Sequence, residues 1–576
     1  MTAQKPASGQ LSKATILALS LLFTTGAFAH ENAHKTELFK PGVGFAGERA
    51  EPTASETGEV PLYAGLGDWT YPVTTQSERA QAYFDQGFKL AWAFNHAEAA
   101  RAFRAAQRVD PACAMCFWGE AFVLGPNIND GMHAAAVTPA FEAISRAVSL
   151  AEGTTATEKS LIGALANRYS RNGDQRQALD QAWAEAMAAV AEQYQDDPAI
   201  QALYAEALMN LQPWDYWEAD GVGPKGRTAD IISALERALS LEPGHPAAAH
   251  LYIHAVEASA TPERAERHAD ALRGAMPAAG HLVHMPAHIY ARVGRFGDSL
   301  AVNADAIRAD EQMLAAMGDA ASPLYRFGYY PHNVHFLMVA AQLSGAREEA
   351  LAAAVKLSGI VSQEVSGELG WVQAIETAPY TVHAQFSDPA TLMTLPDPGD
   401  RFPFVKGYWH YARGTGFALS GRFEEAAGEV AALRAIQATA DLDGLEAQYV
   451  PARTLLGIAM HVVEARIDQR RGDYEAAVHH LEAAIGLEAA IAYMEPPYWY
   501  YPVHQTLGAV QLQSGDAAQA VVSFQKALAQ LPKNGWSLWG LHMAQAASGY
   551  GTAEETRRRF RAVWLGDNLG PDPERL

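Results

Sequence analysis

His250 and His254 stand four residues apart, as do His284 and His288, and each member of the second pair follows its counterpart by 34 residues. On a helix, positions i and i+4 share one face with Cβ atoms about 6 Å apart, so each pair presents two imidazoles side by side. Neutral imidazole nitrogen is a ligand for zinc, copper, iron and nickel. Packed helices run about 8 to 10 Å apart, which lets facing rings converge on one ion at about 2.0 to 2.1 Å. Glu257 extends the first face by nearly a turn, His281 extends the second backwards, and His332 and His335 stand at the corresponding place further along. The expected ligands are His250, His254, His284, His288 and His335, with Glu257 or His281 as a catalytic base beside a metal-bound water or oxygen species. Copper or zinc is expected, with iron open; calcium and magnesium would require oxygen donors. Two other readings stand beside this one. Duplicated helices can share histidines that merely hydrogen-bond one another. A polar groove can also use them to grip a peptide or a small acidic ligand, with a charge that switches near neutral pH.

The elements that must carry these residues are legible in small and aromatic positions. Gly87, Ala99, Phe103, Ala106 and Pro111 form one set, and Gly508, Gly515, Ala520, Phe524, Ala527 and Pro532 repeat it near the other end. Between them, Gly294 before Phe296, Gly345 before Arg347, Gly421 before Phe423 and Gly472 before Tyr474 mark turns between helices. A small residue lets two helices approach, an aromatic fills the space between hairpins, and proline or glycine ends the second helix.

These positions, with the 34-residue period, resemble the tetratricopeptide repeat family from Arg79 to Trp564. The resemblance implies an all-α fold, a solenoid of helical hairpins wound as a right-handed superhelix. It also implies that the first helix of each hairpin lines a concave groove for an extended peptide, a protein tail or a small polar ligand. A noncatalytic adaptor of the cell envelope is the alternative function that follows. Each repeat is expected to pack only on its neighbours, which lets so long a chain form one array. Gln212 to Arg227 and Gly359 to Arg401 depart from the pattern and are expected to be inserted loops.

Lys5 and Lys13, the apolar run Ala14 to Phe23 and the small residues ending at Ala29 follow the pattern of a cleaved secretory signal over 1–29. Residues 30–78 form an extended arm with apolar anchors at Leu66, Trp69 and Tyr71, 79–564 the solenoid and 565–576 a tail. The protein is expected to be exported, periplasmic or extracellular, with no membrane anchor after cleavage. A formal charge of -22, from 65 acidic against 43 basic residues, argues against nucleic acid as a partner. Cys113 and Cys116 are the only cysteines, and an exported chain favours a disulfide stapling a helix start. His96, His383, His410, His461, His504 and His542 are read as packed structural residues. Tyr325 to Tyr330 and Tyr498 to Tyr501 are dense in aromatics and read first as core. No serine elbow, phosphate loop, dinucleotide fingerprint or zincin motif is present.

Overall fold

The computed structural model describes residues 60–172, 175–567 and 570–575. The expected signal and most of the arm lie outside the described residues. Within them the chain is helical, with two isolated bridges and no strand. The fold is a tetratricopeptide-like succession of helical hairpins, from Glu78–Trp92 with His96–Val109 to Gly535–Ala547 with Ala553–Val563.

Packing follows the small and aromatic positions. Phe103 is fully buried between Gly87 and Gly119, where a Cβ on either glycine would come within 2.9 and 2.3 Å of its ring. Phe524 sits in the same way between Gly508 and Gly540, at 2.9 and 2.2 Å. The turn glycines Gly345 and Gly472 end their helices in the left-handed region, at φ 79° and 81°, which side chains with a Cβ disfavour.

Three features differ from expectation. Residues 359–401 are not a loop but carry the helices Gln363–Glu368, Gly370–Phe386 and Pro389–Met393. Pro379 inside the middle helix hides its periodicity, yet the helix is buried along most of its length, and burial outweighs the lost ladder bond. Residues 212–227 do form turns, closed by a bridge between Trp217 and Pro224 and by the Gln212 side chain, whose amide donates to Asp215 O and Lys225 O at 3.0 and 3.1 Å.

Packing is also not confined to neighbouring repeats. The Trp536 indole donates to Gln342 O at 2.8 Å, and Leu565 N donates to Ser344 O at 2.8 Å, so the C-terminal hairpin returns to the Tyr330–Ser344 helix. The described part of the arm packs against the helices, and Ala278 N donates to Gly65 O at 2.9 Å. It also docks on the first hairpin, with Tyr63 Oη donating to Glu98 at 2.7 Å and Trp69 between Phe88 and His245 at 5.6 and 5.1 Å between centroids.

Two glycines should respond oppositely to alanine. Gly486 lies inside the Tyr474–Glu488 helix with open space around it, and Gly486→Ala is expected to stabilise by about 0.5 to 1 kcal/mol. Gly540→Ala drives a Cβ into Phe524 and is expected to cost about 1 to 3 kcal/mol, read from urea unfolding midpoints.

Candidate metal centre

The Pro246–Val256 helix starts at His245, whose Nδ1 accepts from Ala248 N at 3.2 Å, with Pro246 in the first turn. Alanines then carry it through an environment in which every one of its residues is buried. Gly280–His284 and Pro286–Arg292 continue one another through Met285, whose backbone is helical at φ -49° and ψ -38°. Pro286 has no N–H, so one ladder bond is missing between His284 and His288. The Tyr330–Ser344 helix brings His332, and a π-helical turn over Tyr325–Tyr329 precedes it, a local form that recurs at functional sites. Buried Asp310 ties this region together by accepting from Tyr325 Oη at 2.6 Å and Asn333 Nδ2 at 2.7 Å. Burial pushes its carboxyl up to about 7.

Six histidines meet here in two groups of three. His250, His254 and His281 each offer a nitrogen within 4.8 Å of the others, and so do His284, His288 and His332. Glu257 joins the groups, accepting from His254 Nδ1 at 2.7 Å on one oxygen and from His288 Nδ1 at 2.6 Å on the other. His250 Nδ1 donates to Trp92 O at 2.7 Å, and His284 Nδ1 donates to Asn303 Oδ1 at 2.7 Å. The Asn303 amide nitrogen donates to Ser299 O at 2.8 Å, which fixes its oxygen toward the ring.

All four acceptors lack a proton to give, so each of these Nδ1 atoms carries the hydrogen and each Nε2 of a neutral ring is a bare lone pair. His284 Nε2 and His288 Nε2 are 2.8 Å apart, His250 Nε2 is 3.1 Å from His281 Nε2, and His254 Nε2 is buried with no hydrogen-bond partner. Between His284 and His288, where both Nδ1 atoms are tied off, two lone pairs at this separation require a proton or a cation between them, whereas His281 Nδ1 has no acceptor and its Nε2 can itself carry the hydrogen toward His250.

Electrostatics agree. Burial, then repulsion from neighbouring imidazoles, holds His250, His281, His284 and His332 well below 6.5 and therefore neutral. Burial also lowers His254, against the pull of Glu257. At His288 burial acts the same way but the Glu257 carboxylate overrides it and raises the ring. Burial would raise Glu257, yet His288 and the two imidazole hydrogen bonds hold it well below the usual carboxylate range.

The walls are dry and aromatic. Phe94 packs on His250 and His281 at 4.6 and 5.1 Å between centroids, and Trp214 packs edge-on against His254 at 4.9 Å. Both have positive φ, 54° and 63°, a backbone conformation that bulky residues hold only where surroundings impose it and that gathers at functional sites. Phe336 closes the other group, 4.7 Å from both His284 and His288. A small cleft of about 40 Å³ reaches His332 and is lined by Glu495, Trp371, Tyr408, Tyr498 and Tyr500. Burial pushes Glu495 up to about 7, opposed by Arg292. Tyr493 Oη donates to Glu495 at 2.7 Å and lies 3.3 Å from Glu257.

Of the expected ligands, His250, His254, His284 and His288 do come together. His335 does not join them: packing against the Tyr498–Tyr501 segment turns its ring to Tyr500 Oη, which it bonds at 2.9 Å. His332 takes its place. Glu257 is not a free base, because both oxygens are committed to imidazoles, and it positions ligands instead. His281 stands among the ligands, facing His250, rather than behind them. The cluster is an enclosed centre and not an open concave surface, with Glu257, His250 and His284 at 0% exposure. Phe94, Trp214, Tyr493 and Glu495 carried no signal at helical spacing. Cys113 and Cys116 are bonded to each other at the start of the Ala114–Leu124 helix.

No protein-family model and no curated protein matches the sequence. Among solved structures, the chain is similar to the human IFIT1 dimer with m7Gppp-AAAA at 12% identity and TM-score 0.30, over 85% of this chain and 91% of that one. It is similar to yeast Tom70 at 12% identity and TM-score 0.27, over 84% and 92% of the two chains. It is also similar to Cut9 of the APC/C tetramer Cut9–Hcn1, at 12% identity and TM-score 0.29, over 81% and 76%. At such identities and scores nothing about ligand or activity carries across.

Burial pushes His335 down to about 3 in the folded chain, against 6.5 when unfolded. Below pH 6.5 the unfolded ring takes a proton that the folded ring refuses, so stability present above that pH is lost as pH falls. Relative to His335→Gln, the unaltered protein is expected to lose up to about 1.4 kcal/mol per pH unit between about 6.5 and 4, measured by urea unfolding across pH.

Proposed function

We propose that this chain is an exported transition-metal protein that holds two ions side by side, one per group of three histidines, with copper favoured over zinc. The observation that carries the reading is that four Nδ1 atoms are tied off by proton acceptors while their Nε2 lone pairs converge in the interior. A histidine ligand donating its second N–H to a carboxylate or carbonyl is the usual outer arrangement of a metal site.

The donor set favours copper. It is all imidazole, without thiolate, because the one cysteine pair is bonded to itself. The only carboxylate between the groups is Glu257, and a dry enclosure with one negative charge accommodates two monovalent ions at lower electrostatic cost than two divalent ones. Three protein ligands per ion leave a position open, the hallmark of a reactive rather than a structural site. The cleft at His332 gives that position an approach from outside. This supports metal-dependent chemistry over the adaptor reading, which rests on fold alone. The bonded cysteine pair supports an oxidising compartment. Among the described residues no helix is long and apolar enough to cross a membrane.

Anaerobic reconstitution with Cu(I), followed by desalting and elemental analysis, is expected to give about two ions per chain. His250→Gln with His254→Gln, or His284→Gln with His288→Gln, should each lower this to about one. His335→Gln should retain both. Glu257→Gln should weaken retention by roughly 10- to 100-fold, as loss of an outer hydrogen-bond partner does. Equal metal content in all of these folded variants would refute the assignment.

A further inference from the structure

We infer that the chain carries a second, separate cation site on the hairpin Ala452–Arg471 and Tyr474–Glu488, formed by His461, Glu464 and His480 and suited to a zinc-class divalent ion.

His461 and Glu464 lie three residues apart on one face of the first helix, and His480 faces them from the second. Their ligand atoms form a nearly equilateral triangle. His461 Nδ1 is 3.2 Å from His480 Nδ1 and 3.2 Å from Glu464 Oε2, and His480 Nδ1 is 3.1 Å from the same oxygen. Ligands bound tetrahedrally at about 2.0 to 2.1 Å stand about 3.3 Å from each other, so the triangle has the size of one face of a coordination tetrahedron.

Ion pairing alone accounts for this poorly. Glu464 Oε2 is buried and receives no hydrogen bond of proper geometry, although two ring nitrogens lie beside it. Its sister oxygen Oε1 accepts from Arg434 at 2.8 Å, which turns Oε2 toward the rings. On the far side of the His480 ring, Nε2 lies 3.6 Å from Asp468 Oδ2, a carboxylate near enough to attract the ring electrostatically without a hydrogen bond. The two Nδ1 atoms and one carboxylate oxygen suit zinc, nickel or copper and not calcium or magnesium.

Unlike the central cluster, the three side chains are partly exposed, at 24%, 16% and 26%, so a fourth ligand from water has access and the ion can exchange. An ion here would clip the two helices together. Leu455 on the first of them lines the cleft that reaches His332, so the clip would also firm one wall of that cleft. The site uses none of the central residues and stands or falls without them.

The test is titration of the purified full chain with zinc chloride against a competing chromophoric chelator. Alongside the unaltered protein go His461→Gln with His480→Gln, Glu464→Gln, and His284→Gln with His288→Gln, each checked for helical content by circular dichroism. The unaltered protein and the central variant are expected to share one rapidly exchanging zinc. The His461/His480 variant should lack it, and Glu464→Gln should bind it at least tenfold more weakly. Zinc should raise the thermal midpoint of the unaltered chain and leave that of the His461/His480 variant unmoved. Equal rapid binding by the unaltered chain and the His461/His480 variant would overturn the site, and unchanged affinity in Glu464→Gln would remove the carboxylate from it. Loss of zinc only in the central variant would place the exchangeable ion in the central cluster and overturn the second site.

Discussion

The centre of this molecule is governed by one constraint: buried imidazoles whose Nδ1 hydrogens are already given to acceptors have nowhere to turn their Nε2 lone pairs except toward each other. Trp92 O, Asn303 and the two oxygens of Glu257 impose that orientation from three different segments of the chain. In water such lone pairs would be solvated. In a cage of Phe94, Trp214 and Phe336 they are not, and leaving a buried polar atom unpaired costs free energy.

The rest of the architecture serves this arrangement. Returning hairpins bury the helices on all sides, which makes the interior dry, and Glu257 provides the one charge that links the two groups. Asp310 secures the turn before the helix that brings His332, and Gly280 leaves room for it, since a Cβ there would come within 1.8 Å of an Asp310 oxygen. Phe94 and Trp214, two of the four non-glycine residues with positive φ among the described residues, hold that conformation where their rings cover the histidines.

Much of the hairpin fold was legible because Gly87, Phe103, Gly508 and Phe524 obey a steric rule that needs no tertiary knowledge. The four central histidines were legible from i, i+4 spacing and recurrence. Their pairing was less so. Recurrence at 34 residues marks equivalent positions in successive repeats, whereas the contacts run from His250 to His281 and from Glu257 to His288, both at a separation of 31. That difference is nearly one helical turn, the offset between adjacent helices, and it explains why His281 is a ligand candidate and not a base. His332 and His335 differ by three residues on one helix, and only tertiary packing decides which faces inward. Phe94, Trp214 and Glu495 lie in turns or irregular segments where periodicity says nothing. His461 and His480 belong to different helices and share no motif, so their meeting was visible only in the fold.

The central claim is most directly tested by X-ray absorption at the copper edge of purified protein loaded with two equivalents of Cu(I). The account predicts a first shell of about three nitrogens per copper near 2.0 Å, with the outer-shell scattering of imidazole and no sulfur near about 2.3 Å. A shell dominated by sulfur, or by oxygen without the imidazole pattern, would contradict it.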